Sequence, residues 1–341
     1  MQMKKLIKFI KFILYRFRYL INYGMIGVGA VGLEIAILSI LRYFNFNLFL
    51  AAGIGFIIGM VFSYILNFKL NFKLKNSLSM ITRFTLVSVA SFGVNLLLCY
   101  WLSIVTNVGY GLLRYFTASI IFVINYFIHR KVTFTGLKKV GIVVYADNNT
   151  DVDGIWSKIE NFPDFIHIDL IDDREVNLEV VKQVKKKWFL PSMLHIMSNN
   201  PIKWVKEVGA YSDYIIVPFD KFSSEIYDYL KASNKKIGIS IMPDADLDEL
   251  EPMLNAVDLV QVMGITALGK SGQSISTSSI GMLEFLSKNK KKYNFEICFD
   301  GGIQLYNVNA IKADYIVSSS AVLNSENAVQ TIYKLKSGAI L

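Results

Sequence analysis

The sequence predicts a multi-domain protein: an all-α four-helix transmembrane domain, built as two tandem helical hairpins, followed by an α/β TIM (β/α)8 barrel. Three observations lead to this class. The charge is divided: residues 1–137 hold 14 Lys/Arg and a single acid, Glu34, while the rest of the chain holds 22 Lys/Arg and 26 Asp/Glu. Apolar stretches of about 20 residues, the length that crosses ~30 Å of hydrocarbon as a helix, are confined to the first part. Beyond Val140, short β-rich runs alternate with amphipathic helical runs eight times. With net charges near +13 and −4, the two parts suit different solvents. A length of 341 residues also favours two domains.

Residues 1–20 form the first element. KKLIKFIKFILYRFR (4–18) reads as a basic amphipathic helix lying in the membrane interface; the same charges also serve as a positive flank for the first span. Lys4, Lys5, Lys8, Lys11, Arg16 and Arg18 interrupt its apolar residues and no small-residue cleavage site follows, so it is not read as a secretory signal. Residues 21–135 carry apolar stretches near 22–42, 48–68, 83–105 and 112–129. The N-terminal segment, the connection holding Lys69, Lys73, Lys75 and Arg83, and the exit at Arg130 and Lys131 are basic. The other two connections hold only Arg42 and Arg114. By the positive-inside rule both termini face the cytoplasm, in the cell (inner) membrane.

The basic charge flanks apolar runs and forms no stripe, so the partner it implies is the lipid bilayer and not nucleic acid. Two cysteines, Cys99 in an apolar run and Cys298 in a strand, do not build a disulfide framework, and the water-facing part fits a reducing compartment.

The membrane part repeats internally. Its second span ends SYILNFKLNF (63–72) and its fourth ends INYFIHRKVTF (124–134); the preceding spans begin after RY and RF and contain the small-residue runs IGVGAVG and VSVASFG. Such runs let helices pack closely. Over roughly residues 17–135 this arrangement resembles the GtrA-like family. The resemblance implies a small membrane domain that handles polyprenyl-phosphate-linked sugars for cell-surface polysaccharide. Polar groups within the spans are functional candidates, because burying them in lipid is costly. These are Glu34, Asn67, Asn95, Arg114 and Asn125. Glu34, near the middle of the first span, either serves function or pairs with Arg114 or another basic group. Asn67 and Asn125 either hydrogen-bond helix ends or, with Lys69 and Arg130, hold a lipid phosphate.

Residues 138–341 contain the strand runs 140–145, 166–171, 192–197, 214–218, 236–242, 258–264, 295–300 and 315–320. A doubly wound sheet would use the same elements, but eight regular units favour closure into a barrel. His167 and Asp169 in HIDLIDD are two residues apart and share a strand face. His195 lies on strand three and Asp300 ends strand seven. In a closed barrel these ends converge, bringing together two imidazoles and two carboxylates. That donor set suits one divalent metal ion: Zn, Fe or Mn. A lone strand histidine is usually a core group; here two of the three histidines in the chain fall at these ends.

Over most of 138–325 the sequence resembles ribulose-phosphate 3-epimerase. The family's strand-two histidine-x-aspartate is matched by His167 and Asp169, with Asp172 closing the motif. Its strand-three His-Leu-Met is matched by His195, Ile196 and Met197. Its strand-six methionine and Gly-Gln loop are matched by Met263, Gly272 and Gln273, and its Asp-Gly-Gly by Asp300, Gly301 and Gly302. The resemblance implies a metal held by His167, Asp169, His195 and Asp300, with Asp169 and Asp300 as the proton-transfer pair. It further implies that Met197 and Met263 cap the reacting carbons, with plain barrel core as the alternative. Gly301, Gly302, Ser319 and Ser320 would offer backbone N–H groups to a phosphate, helped by Gly272 and Lys270. The chain departs from the family at Tyr145 in place of a serine, Pro218 in place of a histidine, and Ile171 in place of a methionine. It also departs in the loop TALGKSGQ (266–273) and in Ser318-Ser319-Ser320 in place of Ala-Gly-Ser. All these changes touch substrate contacts and none touches the metal set.

The expected function is a membrane-bound, metal-dependent sugar-phosphate epimerase joined to a domain handling lipid-linked sugar. The alternative is a polyprenyl-phosphate-sugar flippase whose barrel binds sugar phosphate or regulates. The expected partners are a sugar phosphate (pentulose 5-phosphate or a relative), a polyprenyl-phosphate-linked sugar and the bilayer; a homo-oligomer is left open.

Overall fold

A computed structural model describes the chain except for residues 1–9, 11, 12, 15, 16, 73, 75, 107, 109, 136, 266–273 and 339–341, and the side chains of 48, 49, 110–112, 114 and 115. The chain divides into two compact units at Leu137/Lys138. Most of the expected interfacial helix at 4–18 lies outside the described residues.

The first unit is helical: α1 (Arg18–Tyr43), α2 (Leu48–Leu66), α3 (Leu78–Val105) and α4 (Tyr110–Ile128). Among the described residues, three helices are long and apolar enough to cross a membrane: Arg18–Tyr43, Leu50–Asn71 and Leu78–Val105. The fourth expected span falls on α4, which is not among those three. The α1–α2 hairpin is closed by small residues: a Cβ at Gly55 would lie 2.9 Å from the Glu34 carbonyl oxygen, and one at Gly59 3.0 Å from that of Ala30. Larger residues there would push the helices apart.

The two repeated endings share a backbone feature. α2 runs into a π-helical turn at Asn67–Asn71 and α4 into another at His129–Thr133. In the first, buried Asn71 donates to the Tyr19 carbonyl and to Asn67 Oδ1, both at 3.0 Å, and Asn67 donates to the Ser63 carbonyl at 2.9 Å. In the second, His129 Nδ1 and Thr133 Oγ1 are 2.9 Å apart. The phenylalanines closing the repeats, Phe72 and Phe134, stack at 4.5 Å within a buried cluster that includes Tyr23, Tyr64, Phe84 and Tyr126.

The second unit is a closed barrel of eight parallel strands in sequential order. These are β1 (Lys139–Tyr145), β2 (Phe165–Ile171), β3 (Ser192–Met197), β4 (Tyr214–Pro218), β5 (Lys236–Ile241), β6 (Leu259–Met263), β7 (Glu296–Asp300) and β8 (Tyr315–Val317). Helices α5 (Val152–Ile159), α6 (Leu178–Lys187), α7 (Pro201–Val208), α8 (Ser224–Ala232) and α10 (Thr277–Tyr293) follow β1 to β4 and β6. Two expected helical units are weaker than the pattern implied. After β5, α9 (Leu247–Leu250) passes at once into a 3-10 turn containing Pro252, which has no N–H to continue an α-helix. Between β7 and β8 there is only the 3-10 turn Val308–Ala310, because Asn307 folds the loop on itself, donating to the Gly302 carbonyl and accepting from the Gln304 N–H. After β8 come α11 (Ser320–Leu323) and α12 (Ala328–Ser337).

Alternating residues fill the barrel in layers. At the N-terminal end, Lys139, Tyr214, Glu296 and Tyr315 form a hydrogen-bonded plug. Above it lies an apolar floor of Val143, Phe165, Met193, Ile216, Leu259, Cys298 and Val317. Gly141 makes room for this floor: a Cβ there would sit 2.2 Å from the Phe165 ring.

One device recurs four times. An aspartate immediately before each even-numbered strand accepts a backbone N–H from the preceding odd-numbered strand. Asp164 takes Val140 N–H (3.0 Å), Asp213 takes Ser192 (2.8 Å), Asp258 takes Ile237 (2.9 Å) and Asp314 takes Ile297 (2.8 Å). Each also pairs with a lysine: Lys336, Lys185, Lys236 and Lys290 respectively. These carboxylates satisfy strand donors that the parallel ladder leaves over. Asp258→Ala strands the Ile237 N–H, a loss of about 1–3 kcal/mol. The melting temperature of the detergent-solubilised full chain therefore falls in Asp258→Ala and partly recovers in Asp258→Asn; equal melting of all three proteins contradicts the tether.

Candidate metal centre and active site

Strand register brings the site together. Asp169 on β2 pairs across to Tyr145 on β1 and to His195 on β3, while Asp300 on β7 pairs with Met263 on β6. His167, two residues before Asp169, points to the same barrel interior. One nitrogen or oxygen from each of His167, Asp169, His195 and Asp300 lies within 4.8 Å of the others. His167 Nε2 is 3.1 Å from Asp169 Oδ1 and 3.6 Å from Asp300 Oδ2, and His195 Nδ1 is 3.3 Å from Asp169 Oδ1. The histidines are closed off at 0% and 1% exposure, while the carboxylates keep 7% and 8% and so remain open to the C-terminal mouth.

The donor set fits a divalent cation. His167 Nε2 and Asp169 Oδ1 are buried and close, yet make no well-directed hydrogen bond. Two imidazole nitrogens and two carboxylate oxygens converging on one point are a mixed set that Zn²⁺, Fe²⁺ or Mn²⁺ accepts.

The profile of the ribulose-phosphate 3 epimerase family matches residues 143–323, more than half of the chain. The chain belongs to the ribulose-phosphate 3-epimerase family. A ribulose-phosphate 3-epimerase of Aquifex aeolicus is 28% identical over 196 residues, covering 54% of this chain and 88% of that protein. One of Treponema pallidum is 28% identical, with 46% and 78% covered, and the chloroplastic ribulose-5-phosphate-3-epimerase of Arabidopsis thaliana is 29% identical, with 51% and 66% covered. A second profile, GtrA/DPMS transmembrane domain, matches residues 22–134. The chain is thus an epimerase-family enzyme that carries a membrane domain.

In this epimerase barrel the electrostatics separate the two carboxyls. Burial pushes Asp169 up, but His167 and then His195 outweigh it and hold Asp169 well below the usual carboxylate range. Burial also pushes Asp300 up; the neighbouring Asp169 charge adds to this against the two imidazoles, and Asp300 reaches about 6. Burial pushes His167 down, yet Asp169 and Asp300 lift it above its ordinary value. Carboxyls driven apart in this way suit opposite roles in proton transfer.

Of the other expected residues, Met263 is buried beside Gln261 and half-buried Met197 ends β3 on the face of His195. Gly301 and Gly302 have φ of +101° and +73°, a left-handed pair that a side chain would strain. Ser319 accepts the Val322 and Leu323 N–H groups through its carbonyl, and buried Ser318 donates its N–H to the Gly141 carbonyl at 3.0 Å. Lys270 and Gly272 lie outside the described residues. Asp172 ties the β2 and β3 loops, accepting from Ser198 Oγ (2.6 Å), Trp204 Nε1 (2.8 Å) and Asn199 N (3.1 Å).

In the membrane unit, Glu34 is half-buried against α2, Asn67 is buried, Asn95 is half-buried with its Oδ1 enclosed, and Asn125 accepts from Ser91 Oγ at 2.6 Å. The side chain of Arg114 lies outside the described residues.

Two groups escaped the sequence reading. Gln261, fully buried, reaches His195 and Asp300; its signal was a polar residue at an inward position of the otherwise apolar run LVQVM. Arg174 lies 4.1 Å over the Tyr145 ring and pairs with Asp147 at 2.7 Å. These contacts join loops after β1 and β2, which no local pattern reveals.

Raised His167 and Asp300 values mean that protons compete for two ligand positions. Below about pH 6 both groups hold a proton, and each proton held lowers the affinity of the site for a cation. Metal affinity, followed by chelator competition, is expected to fall as the pH is lowered from 7 to 5, through the region near 6 where Asp300 takes up its proton. A flat profile across that interval contradicts this site.

Proposed function

We propose that the chain is a membrane-bound, metal-dependent sugar-phosphate epimerase. Its barrel inverts the carbon beside the carbonyl of a pentulose 5-phosphate or a related phosphorylated sugar. Its membrane domain handles polyprenyl-phosphate-linked sugar for cell-surface polysaccharide. The observation that carries the reading is the convergence of His167, Asp169, His195 and Asp300 at one barrel mouth.

His167, Asp169, His195 and Asp300 would hold the cation. When bound, it supplies Lewis-acid stabilisation of negative charge developing on the substrate's oxygens. The chain's own residues do the proton transfer. Asp169, kept ionised, accepts the proton from the carbon next to the carbonyl, leaving an enediolate. Asp300, which holds its proton up to about 6, delivers one to the opposite face. In the reverse direction the two exchange roles. The apolar floor beneath keeps water from the carbanionic carbon, and Met197 and Met263 cap it. The left-handed Gly301–Gly302 turn, Ser319 and Ser320 would receive the phosphate, with Gly272 and Lys270 from the neighbouring loop.

The membrane part is proposed to cross four times, with α4 as the fourth span and both termini and the barrel in the cytoplasm of a cell membrane. Its division is 1–20, 21–135 and 138–341 for interfacial helix, spans and barrel. The excess of basic residues on alternate connections supports this orientation. Glu34, Asn67, Asn95, Arg114 and Asn125 are the candidates there for contact with the lipid-linked sugar.

The direct test incubates the detergent-purified full chain and a divalent cation with ribulose 5-phosphate in D₂O. Xylulose 5-phosphate carrying deuterium at the epimerised carbon is expected. Asp169→Asn and Asp300→Asn should each lower kcat/KM by at least about 10²-fold. Absence of both epimer and exchange contradicts catalysis on this substrate and favours the barrel as a sugar-phosphate binding module.

A further inference from the structure

Gln261 sits in the middle of β6 with no exposure at all, on the barrel-interior face that it shares with Met263. Its carboxamide nitrogen is 3.1 Å from His195 Nδ1 and 3.2 Å from Asp300 Oδ2. Both are among the atoms that converge on the proposed cation position. The other end of the amide, Oε1, is buried without a hydrogen-bond partner. An enclosed amide oxygen with nothing to accept is unfavourable, and an apolar residue would fill this strand position more comfortably. The position therefore calls for a reason to be polar.

Coordination geometry supplies one. Adjacent donors around a six-coordinate divalent ion, with bonds of about 2.1 Å, stand about 3 Å apart. The amide terminus of Gln261 stands at that spacing from two ligand atoms on different strands. A half-turn about the last side-chain torsion exchanges the oxygen and nitrogen of the carboxamide. That turn costs Oε1 nothing, because Oε1 makes no hydrogen bond. It does give up the contacts of the amide nitrogen with His195, Asp300 and Met263 Sδ, which a bond from Oε1 to the cation would have to replace. It would also remove an N–H from the side of two atoms that a cation would occupy.

We propose that Gln261 presents Oε1 to the cation and acts as a fifth protein ligand beside His167, Asp169, His195 and Asp300. The proposal rests on the four-residue metal reading above. It also sharpens the class of ion. A third oxygen donor takes the set away from four-coordinate, tetrahedral zinc and toward a five- or six-coordinate ion such as Mn²⁺ or Fe²⁺. The rival role is that of a positioning residue, with the amide nitrogen kept inward and donating to Asp300 from outside the coordination shell.

The test uses Co²⁺ as probe, because its visible d–d absorption intensifies as the number of ligands falls. Full-length wild type, Gln261→Leu and Gln261→Glu are compared by this spectrum and by chelator competition. Wild type is expected to give a weak, high-coordinate spectrum. Gln261→Leu should give a more intense spectrum and bind Co²⁺ at least about tenfold more weakly. Gln261→Glu, which keeps an oxygen in place, should retain the wild-type intensity and bind at least as tightly. An unchanged spectrum in Gln261→Leu overturns the ligand assignment, including where affinity alone falls, since that is the behaviour of a positioning residue. If Gln261→Leu does not fold, Gln261→Glu decides: weaker binding or a four-coordinate spectrum overturns the assignment. Wild type that takes up no Co²⁺ overturns the metal reading itself, whereas a loaded wild type with an indifferent Gln261→Leu overturns only this proposal.

Discussion

Asp169 and Asp300 share a space a few ångströms across, above an interior packed with Val143, Phe165, Met193, Ile216 and Leu259. Taking a carboxylate out of water into such surroundings costs several kcal/mol unless opposite charge or hydrogen bonds compensate. Two like charges this close raise the cost again. The rest of the barrel's upper end follows from that constraint. Two imidazoles stand between the acids, Asp300 rises to about 6, and His167 is lifted by the carboxylates beside it. Protons compensate only in part. A divalent cation would compensate further, and would turn an electrostatic burden into a centre able to hold negative charge on a substrate.

The lower end answers a different need. There the polar groups are plugged and paired: Lys139, Glu296, Tyr214 and Tyr315 close the mouth, and four aspartates tie odd-numbered strands to even ones. One end of the cylinder is thus spent on stability, and the other on chemistry, the usual division in this fold. The apolar floor between them separates the two polar systems, so that neither neutralises the other.

Much of this was legible because it is periodic. Alternating apolar strands, a His-x-Asp on one strand face and an Asp-Gly-Gly at a strand end are local signals, and closure of the barrel converts them into one site. What local signals could not carry were pairings across elements. Gln261 looked like a blemish in LVQVM until register placed it beside His195 and Asp300. Tyr145 was visible only as a departure; the guanidinium above it comes from the loop after β2. The weak helices failed for reasons of chain chemistry, Pro252 in one and the Asn307 turn in the other. In the membrane part the repeat was readable from its endings, but the stacking of Phe72 on Phe134, and the π-helical turns that aim them, needed coordinates.

The central claim is that the four groups exist to grip one cation. Elemental analysis of the full chain, purified without added chelator, measures this most directly, with His167→Gln/Asp169→Asn as the comparison. The account predicts about one divalent ion per chain in the native protein and nearly none in the double variant. Native protein that lacks stoichiometric metal yet epimerises its substrate, or a double variant that retains the ion, would contradict it.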